Sequence, residues 1–262
     1  VPGVAEDLNV ALELADVADR ITMSRFRAAD LVVETKPDLT PVSEADTAVE
    51  RAIREMLAEV RPDDAVLGEE YGAPAEGGAR RWIVDPIDGT KGYVRAIPVW
   101  ATLLALHEDG EASVAVVSAP AMGRRWWAAR GMGAFTDDGL SDGGRPLRVS
   151  AIGRLEDAQV SYGGLEDWQG LGRADATLEL VRSCWRSRNF GDFWAYMLVA
   201  EGAVEVALDP IVSLWDLAAP QLIVEEAGGR FTDLGGVRTP DGGDAIATNG
   251  LLHDAALAII GR

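Results

Sequence analysis

Two carboxylates three residues apart, Asp85 and Asp88, follow the apolar run Arg81-Trp82-Ile83-Val84 and lead into Gly89-Thr90. A run of that kind reads as a buried strand. A strand that delivers two acids at its end suits a hard cation, because Mg²⁺ takes oxygen ligands in octahedral geometry and keeps some of its waters. A Gly-Thr turn opening a helix presents backbone N–H groups to an anion. Pro, Asp and Gly are also the usual residues of an ordinary turn. The rest of the chain decides between the two readings.

The chain has 262 residues and a formal net charge of −19. Its length permits one large domain or two lobes. A surface this acidic repels nucleic-acid phosphates and anionic lipid, so neither is expected as a partner. A phosphate ester is repelled too, unless bound cations reverse the local sign. Cys184 is the single cysteine, which leaves no intrachain disulfide and no thiolate metal site; it is read as a small buried apolar residue. Residues 1–7 show no basic, apolar leader pattern, and no run of about 18 apolar residues occurs, so a cytoplasmic location is expected.

Leu8, Leu12, Ala15, Ala18, Ile21 and Phe26 recur at helical spacing, and Val49, Ile53, Leu57 and Val60 mark a second helix opened by Ser43-Glu44-Ala45-Asp46. Leu31-Val32-Val33 reads as a strand and Thr35–Pro41 as a polar loop with two prolines. Ala65-Val66-Leu67 is a further strand, and Gly72–Ala79 is the most flexible stretch by composition. Trp100–Leu106 and Ala112–Ser118 flank Glu108-Asp109-Gly110-Glu111, a hairpin, and Arg125–Ala129 and Gly133–Phe135 continue the meander. The Asp/Gly-rich stretch Asp137–Pro146 divides the chain into an α+β lobe at 1–142 and an α/β lobe at 143–262. In the latter, strands at Ala158–Tyr162 and Val204–Leu208 alternate with helices at Ala174–Ser183, Phe193–Ala200, Asp216 to Gly228, and Leu251–Ile260. Pro220 is compatible with its helix only within the first turn.

Other acids stand at strand ends or helix starts: Asp46, Glu69, Glu70 and Asp216. Asp46 fits the fourth position of a Ser-x-x-Asp capping box. Asp216 suits a helix dipole, and Glu69 and Glu70 suit solvent. His107 in a strand and His253 in the last helix read as structural. Asp85-x-x-Asp88-Gly-Thr lacks the one-residue spacing of haloacid-dehalogenase-like phosphatases, and Gly131-Met132-Gly133 lacks the helix of a dinucleotide-binding turn.

Taken together, Thr40-Pro41-Val42-Ser43-Glu44-Ala45-Asp46, Gly68-Glu69-Glu70, Trp82 to Thr90 and Trp215-Asp216-Leu217-Ala218-Ala219 resemble the inositol monophosphatase family. Glu225-Glu226-Ala227-Gly228-Gly229 and Ala247-Thr248-Asn249-Gly250 are similar to its C-terminal pattern, so the likeness spans nearly the whole chain. The resemblance implies an α/β (α+β) fold, a layered α-β-α-β-α sandwich with the site between two lobes. It implies hydrolysis of a small-molecule phosphate monoester with two or three Mg²⁺ ions, in a homodimer. Residue by residue it implies metal ligation by Glu69, Asp85, Asp88, Asp216 and the Ile87 carbonyl. It implies phosphate contact at Gly89 and Thr90, and water activation by Thr90 with Asp46, Glu69 also serving catalysis. Physically, two metals about 3.5–4 Å apart clamp an in-line displacement. The family usually carries Asn-Phe where this chain has Gly92-Tyr93, which bears on the rigidity of the turn.

Within the superfamily, Gly191-Asp192-Phe193 with Tyr196 to Gly202, and Trp126 to Gly131, look like the histidinol-phosphate phosphatases of actinobacterial type. Inositol phosphatases usually carry Gly-Thr or Gly-Ser at the first of these. Histidinol phosphate is cationic at its organic end, and added carboxylates at Asp192 and Asp209 favour such a ligand by charge-assisted hydrogen bonding. Asp192 alternatively caps its helix, and Arg188 either positions a phosphate or carboxylate or pairs with a neighbouring acid. The expected activity is a histidinol-phosphate phosphatase. The alternatives are an inositol-1-monophosphatase or broad sugar-phosphate phosphatase, and a catalytically weak protein that keeps the fold.

Overall fold

The structure is a computed structural model that describes residues 3–37, 39–72, 79–140 and 143–261. The chain divides into two compact units, residues 1–130 with 135–145, and residues 131–134 with 146–262. Most of the Gly72–Ala79 stretch, and part of the Asp/Gly-rich stretch, lie outside the described residues.

In the first unit, the helices Val4–Arg25 and Glu44–Val60 pack against a sheet. Among the described residues its strands run in the order Ala65–Gly68, Arg80–Asp88, Ala101–Glu108, Glu111–Ala119, Arg124–Ala129, Gly133–Asp137 and Arg145–Pro146. Leu14, Ala18, Ile53 and Leu57 meet Trp82, Val84, Leu104 and Val116 in one buried cluster. This is the apolar stripe of each helix laid on the inward side chains of the strands. The short strand expected at Leu31–Val33 forms at Val33–Thr35 instead and pairs antiparallel with Pro41–Ser43, so the proline-containing stretch joins two paired strands. The Lys36 N–H donates to the Thr40 carbonyl at 2.8 Å.

The strand Arg80–Asp88 runs on through the acidic motif instead of ending before it. Its register with Ala101–Glu108 shifts between Asp85 and Asp88, where Pro86 cannot donate to the ladder. The Pro86 carbonyl is taken by the Thr102 hydroxyl at 2.8 Å. A single helical turn, Thr90–Tyr93, follows; Gly89 before it has φ +84°, the left-handed region where glycine carries no Cβ penalty. Tyr93 is buried against Phe26 and Trp100 and donates its hydroxyl to the Thr22 carbonyl at 2.7 Å. The departure at Gly92-Tyr93 is thus supported from beneath by an aromatic cluster that also holds Ile87.

The second unit is built on strands in the order Arg186–Ser187, Gln159–Tyr162, Val206–Asp209, Ala245–Thr248 and Arg230–Thr232. The helices Ala174–Ser183, Asp192–Ala200, Leu214–Glu226 and His253–Ile260 accompany it. Leu165–Gly170 is a helix that the sequence pattern did not suggest; Trp168, fully buried, anchors it. Pro220 lies in the second turn of Leu214–Glu226, not the first. It withholds one N–H from the Asp216 carbonyl, and the helix persists because Leu217 to Val224 are all buried. Cys184 is half-buried at the end of its helix, and burial pushes its thiol up to about 11.

Both histidines are structural. His107 and His253 are buried, and His253 sits between the Thr232 and Thr248 hydroxyls at 3.0 and 3.1 Å. Burial, aided by Arg81 at His107 and Arg230 at His253, lowers both to about 4. Folded values below the unfolded value near 6.5 mean a contribution to stability that is present above 6.5 and lost as pH falls toward about 4. In NMR spectra both imidazoles are expected to keep neutral-form shifts from neutral pH down to about 5. Titration near 6.5 would show them solvated.

Candidate active site

Each of two acids singled out from the sequence is aimed by a serine three residues before it. Asp46 is completely buried. Its Oδ2 accepts from the Ser43 backbone N–H at 2.9 Å and from the Ser43 hydroxyl at 2.6 Å, closing a capping box. Its Oδ1 lies 3.3 Å from the Thr90 hydroxyl. The capping and catalytic readings of Asp46 are therefore compatible, one oxygen each. Burial, opposed by the Ser43 hydrogen bonds and helped by the charge of Glu69, raises its pKa to about 6. Such a carboxylate is ionised at neutral pH and still basic enough to take a proton.

Asp216, in the second unit, repeats the device. Its Oδ2 accepts from the Ser213 N–H at 2.8 Å in a second capping box. Ser213-Leu214-Trp215-Asp216 carries the same Ser-x-x-Asp signal as Ser43 to Asp46, a signal the sequence offered and the dipole reading passed over.

Asp85 is buried, and its Oδ1 accepts from the Ile87 N–H at 2.9 Å. Asp85 and Asp88 offer carboxylate oxygens within 4.8 Å of one another. Thr90 donates to the Ile87 carbonyl at 2.8 Å. The first unit thus gathers Asp46, Asp85, Ile87, Asp88 and Thr90 around one turn. The donor set is all oxygen, with no thiolate or imidazole, and fits a hard divalent cation.

Glu69 stands beyond the strand Ala65–Gly68, its N–H on the Val84 carbonyl at 3.2 Å. Neither Glu69 nor Glu70 is simply solvated, because Lys36 Nζ reaches both carboxylates at 2.7 Å. Sequence reasoning missed Lys36. It sits 33 residues from Glu69, between the paired strands Val33–Thr35 and Pro41–Ser43, and no local pattern announces that pairing.

In the second unit, Asp209 ends the strand Val206–Asp209, and the Tyr196 hydroxyl donates to its Oδ2 at 2.6 Å. Burial raises Asp209 to about 6, opposed by that hydrogen bond and helped by the nearby charges of Asp192 and Asp167. Asp192 is not the N-cap residue of its helix. Gly191 holds the N-cap position, and Asp192 opens the helix with φ +48°, a left-handed value that Asp tolerates better than a β-branched residue. Arg188 is exposed and donates to the Ser187 carbonyl at 2.8 Å.

Comparison with known proteins agrees with this chemistry. A model of the inositol monophosphatase family matches residues 4–261. A histidinol-phosphatase of Mycobacterium tuberculosis is 56% identical over 254 residues, covering 96% of each chain. One of Streptomyces coelicolor is 53% identical, covering 100% of this chain and 99% of its own. Among solved structures, an IMPase of Thermotoga maritima superposes with a TM-score of 0.86 at 31% identity, covering 97% of this chain and 96% of that one. The fold is accordingly the α/β sandwich of these proteins. The chain belongs to the inositol monophosphatase family and is a hydrolase of phosphate monoesters.

Proposed function

We propose that the chain is a Mg²⁺-dependent histidinol-phosphatase, acting as a homodimer, that hydrolyses L-histidinol phosphate to L-histidinol and phosphate. The observation that carries this is a gap in similarity. Two relatives named histidinol-phosphatase are 56% and 53% identical over nearly their full lengths, whereas two named inositol-1-monophosphatase are 35% and 33% identical.

In this reading, Glu69, Asp85, Asp88, Asp216 and the Ile87 carbonyl hold two or three Mg²⁺ ions. Bound Mg²⁺ supplies a polarised water and neutralises charge on the phosphoryl oxygens. The Ile87 carbonyl has a second lone pair beside the one that Thr90 uses. Gly89 and Thr90 hold the phosphate. The Thr90 hydroxyl turns its proton from the Ile87 carbonyl to Asp46, which is buried, ionised and 3.3 Å away, as it takes one from the attacking water. Ser43 keeps Asp46 pointed at Thr90 throughout.

Specificity belongs to the second unit, where Arg188, Asp192 and Asp209 meet the organic end of the substrate. Tyr196 holds the Asp209 carboxylate in one orientation. A carboxylate bonded to an ammonium contributes about 1.5–3 kcal/mol. Asp209→Asn and Asp192→Asn are therefore expected to lower kcat/KM for histidinol phosphate by roughly 10- to 150-fold, while glycerol phosphate changes much less. Because Asp209 titrates near 6, its charge and the preference it confers fade as pH falls through that value. Phosphate release from histidinol phosphate and inositol 1-phosphate, measured side by side with Mg²⁺, tests the assignment. A wild-type preference for inositol 1-phosphate would make the chain an inositol-1-monophosphatase. Equal losses on cationic and neutral esters would make the two acids structural.

A further inference from the structure

Behind Glu69 lies a charged group that none of the roles above uses. Glu50, on the helix Glu44–Val60, is fully buried. Its Oε2 accepts from the Glu70 N–H at 2.8 Å, and its Oε1 accepts from the Tyr71 N–H at 3.2 Å. Arg54, one turn further along, donates to Glu50 Oε1 through Nε at 2.9 Å and through a terminal nitrogen at 2.7 Å. The same guanidinium reaches the Val66 carbonyl at 3.2 Å and the Gly72 carbonyl at 2.6 Å. Gly68 and Gly72 exchange backbone bonds of 3.3 and 3.0 Å, closing the turn.

One helix therefore holds the strand just ahead of the turn 68–72, the end of that turn at Gly72, and the N–H groups just after Glu69. The fit is close: a Cβ on Gly68 would lie 2.0 Å from Glu50 Oε1, so position 68 is glycine because the carboxylate occupies the space. A buried carboxylate is expensive unless it is fully hydrogen-bonded. Here its bonds go to the backbone that carries Glu69, and a metal-ligating side chain is only as well placed as the groups that orient it.

We propose that Glu50 and Arg54 are positioning residues that fix the Glu69 turn in its cation-binding shape. The inference rests on the reading of Glu69 as a metal ligand. The lost bonds can be predicted atom by atom. Glu50→Gln sets an amide NH₂ or a neutral oxygen against N–H donors that now meet a carboxylate, and it discharges the partner of Arg54. The turn then loosens, and Glu69 is presented in many orientations instead of one.

The test is Mn²⁺ binding to the whole protein, read from the free-ion electron paramagnetic resonance signal, alongside melting temperature in EDTA. Glu50→Gln is expected to weaken Mn²⁺ binding roughly tenfold, the usual worth of an orienting partner. Glu69→Gln should weaken it as well. The double variant should bind no more weakly than Glu69→Gln alone, because Glu50 acts through Glu69. Arg54→Lys, which keeps the charge and loses the fork, should fall between wild type and Glu50→Gln; being a milder change on a partly exposed side chain, it answers the same question if Glu50→Gln does not fold. If Glu69→Gln weakens Mn²⁺ binding but Glu50→Gln and Arg54→Lys only lower the melting temperature, the pair is merely structural and the proposal fails. If Glu69→Gln leaves Mn²⁺ binding unchanged, the metal-ligand reading fails first and the positioning role goes with it.

Discussion

Asp85→Asn is expected to leave a folded protein whose turnover is lower by several orders of magnitude. Asparagine has nearly the shape of aspartate, and its oxygen still accepts from the Ile87 N–H, now 2.9 Å from Asp85 Oδ1. The bulge between Asp85 and Asp88 therefore survives the change. What is lost is a negative charge buried beside that of Asp88, the charge that the proposed function assigns to a bound cation. Losing it also relieves repulsion between two neighbouring carboxylates, so the melting temperature in EDTA should hold or rise. The measurement is phosphate release at saturating Mg²⁺ together with a thermal melt. A folded Asp85→Asn protein with near-normal turnover would remove Asp85 from the metal site.

Thr90→Ala should cost less and by a different route. The variant loses the hydroxyl that links the Ile87 carbonyl to Asp46. A positioned proton carrier is worth roughly 10²–10⁴-fold in rate. The loss should fall on kcat with the concentration of Mg²⁺ at half-maximal activity largely unchanged, because the carboxylates are untouched and only the hydrogen bond to the Ile87 carbonyl is lost. Thr90→Ser keeps the hydroxyl and should recover most of the rate. Since burial raises Asp46 to about 6, wild-type activity should decline as pH falls through that value and Asp46 takes up a proton. In Thr90→Ala that limb should flatten. An unchanged kcat in Thr90→Ala would show that water is activated without this pair.

The parts of the site that were legible in the sequence are those encoded within a few residues. Asp85 to Thr90, the Ser43-to-Asp46 box and the helix at Asp216 all announce themselves by spacing. The parts that were not legible depend on contacts far apart in the chain. Lys36 reaches Glu69 and Glu70 only because two three-residue strands pair around its stretch of chain. Pro220 was placed by a local rule about helix interiors, and tertiary burial of Leu217 to Val224 overrode it. Likewise the apolar run pointed to a strand that stops at Val84, whereas a bulge absorbs the donor missing at Pro86 and carries the strand to Asp88. Leu165–Gly170 was hidden because its helical signal is a single turn and a half, and its anchor Trp168 reports burial but not conformation.

The two capping boxes also bear on how the chain folds. Ser43 and Asp46, like Ser213 and Asp216, are bonded across three residues. Contacts that short close with the helix itself, in about a microsecond or less, whereas hairpins take about 1–10 μs and distant strand pairings wait longer still. Each carboxylate thus takes its orientation from its own helix whenever that helix forms, and needs no strand pairing to be aimed. Misfolding of a sheet would displace these acids without turning them on their helices.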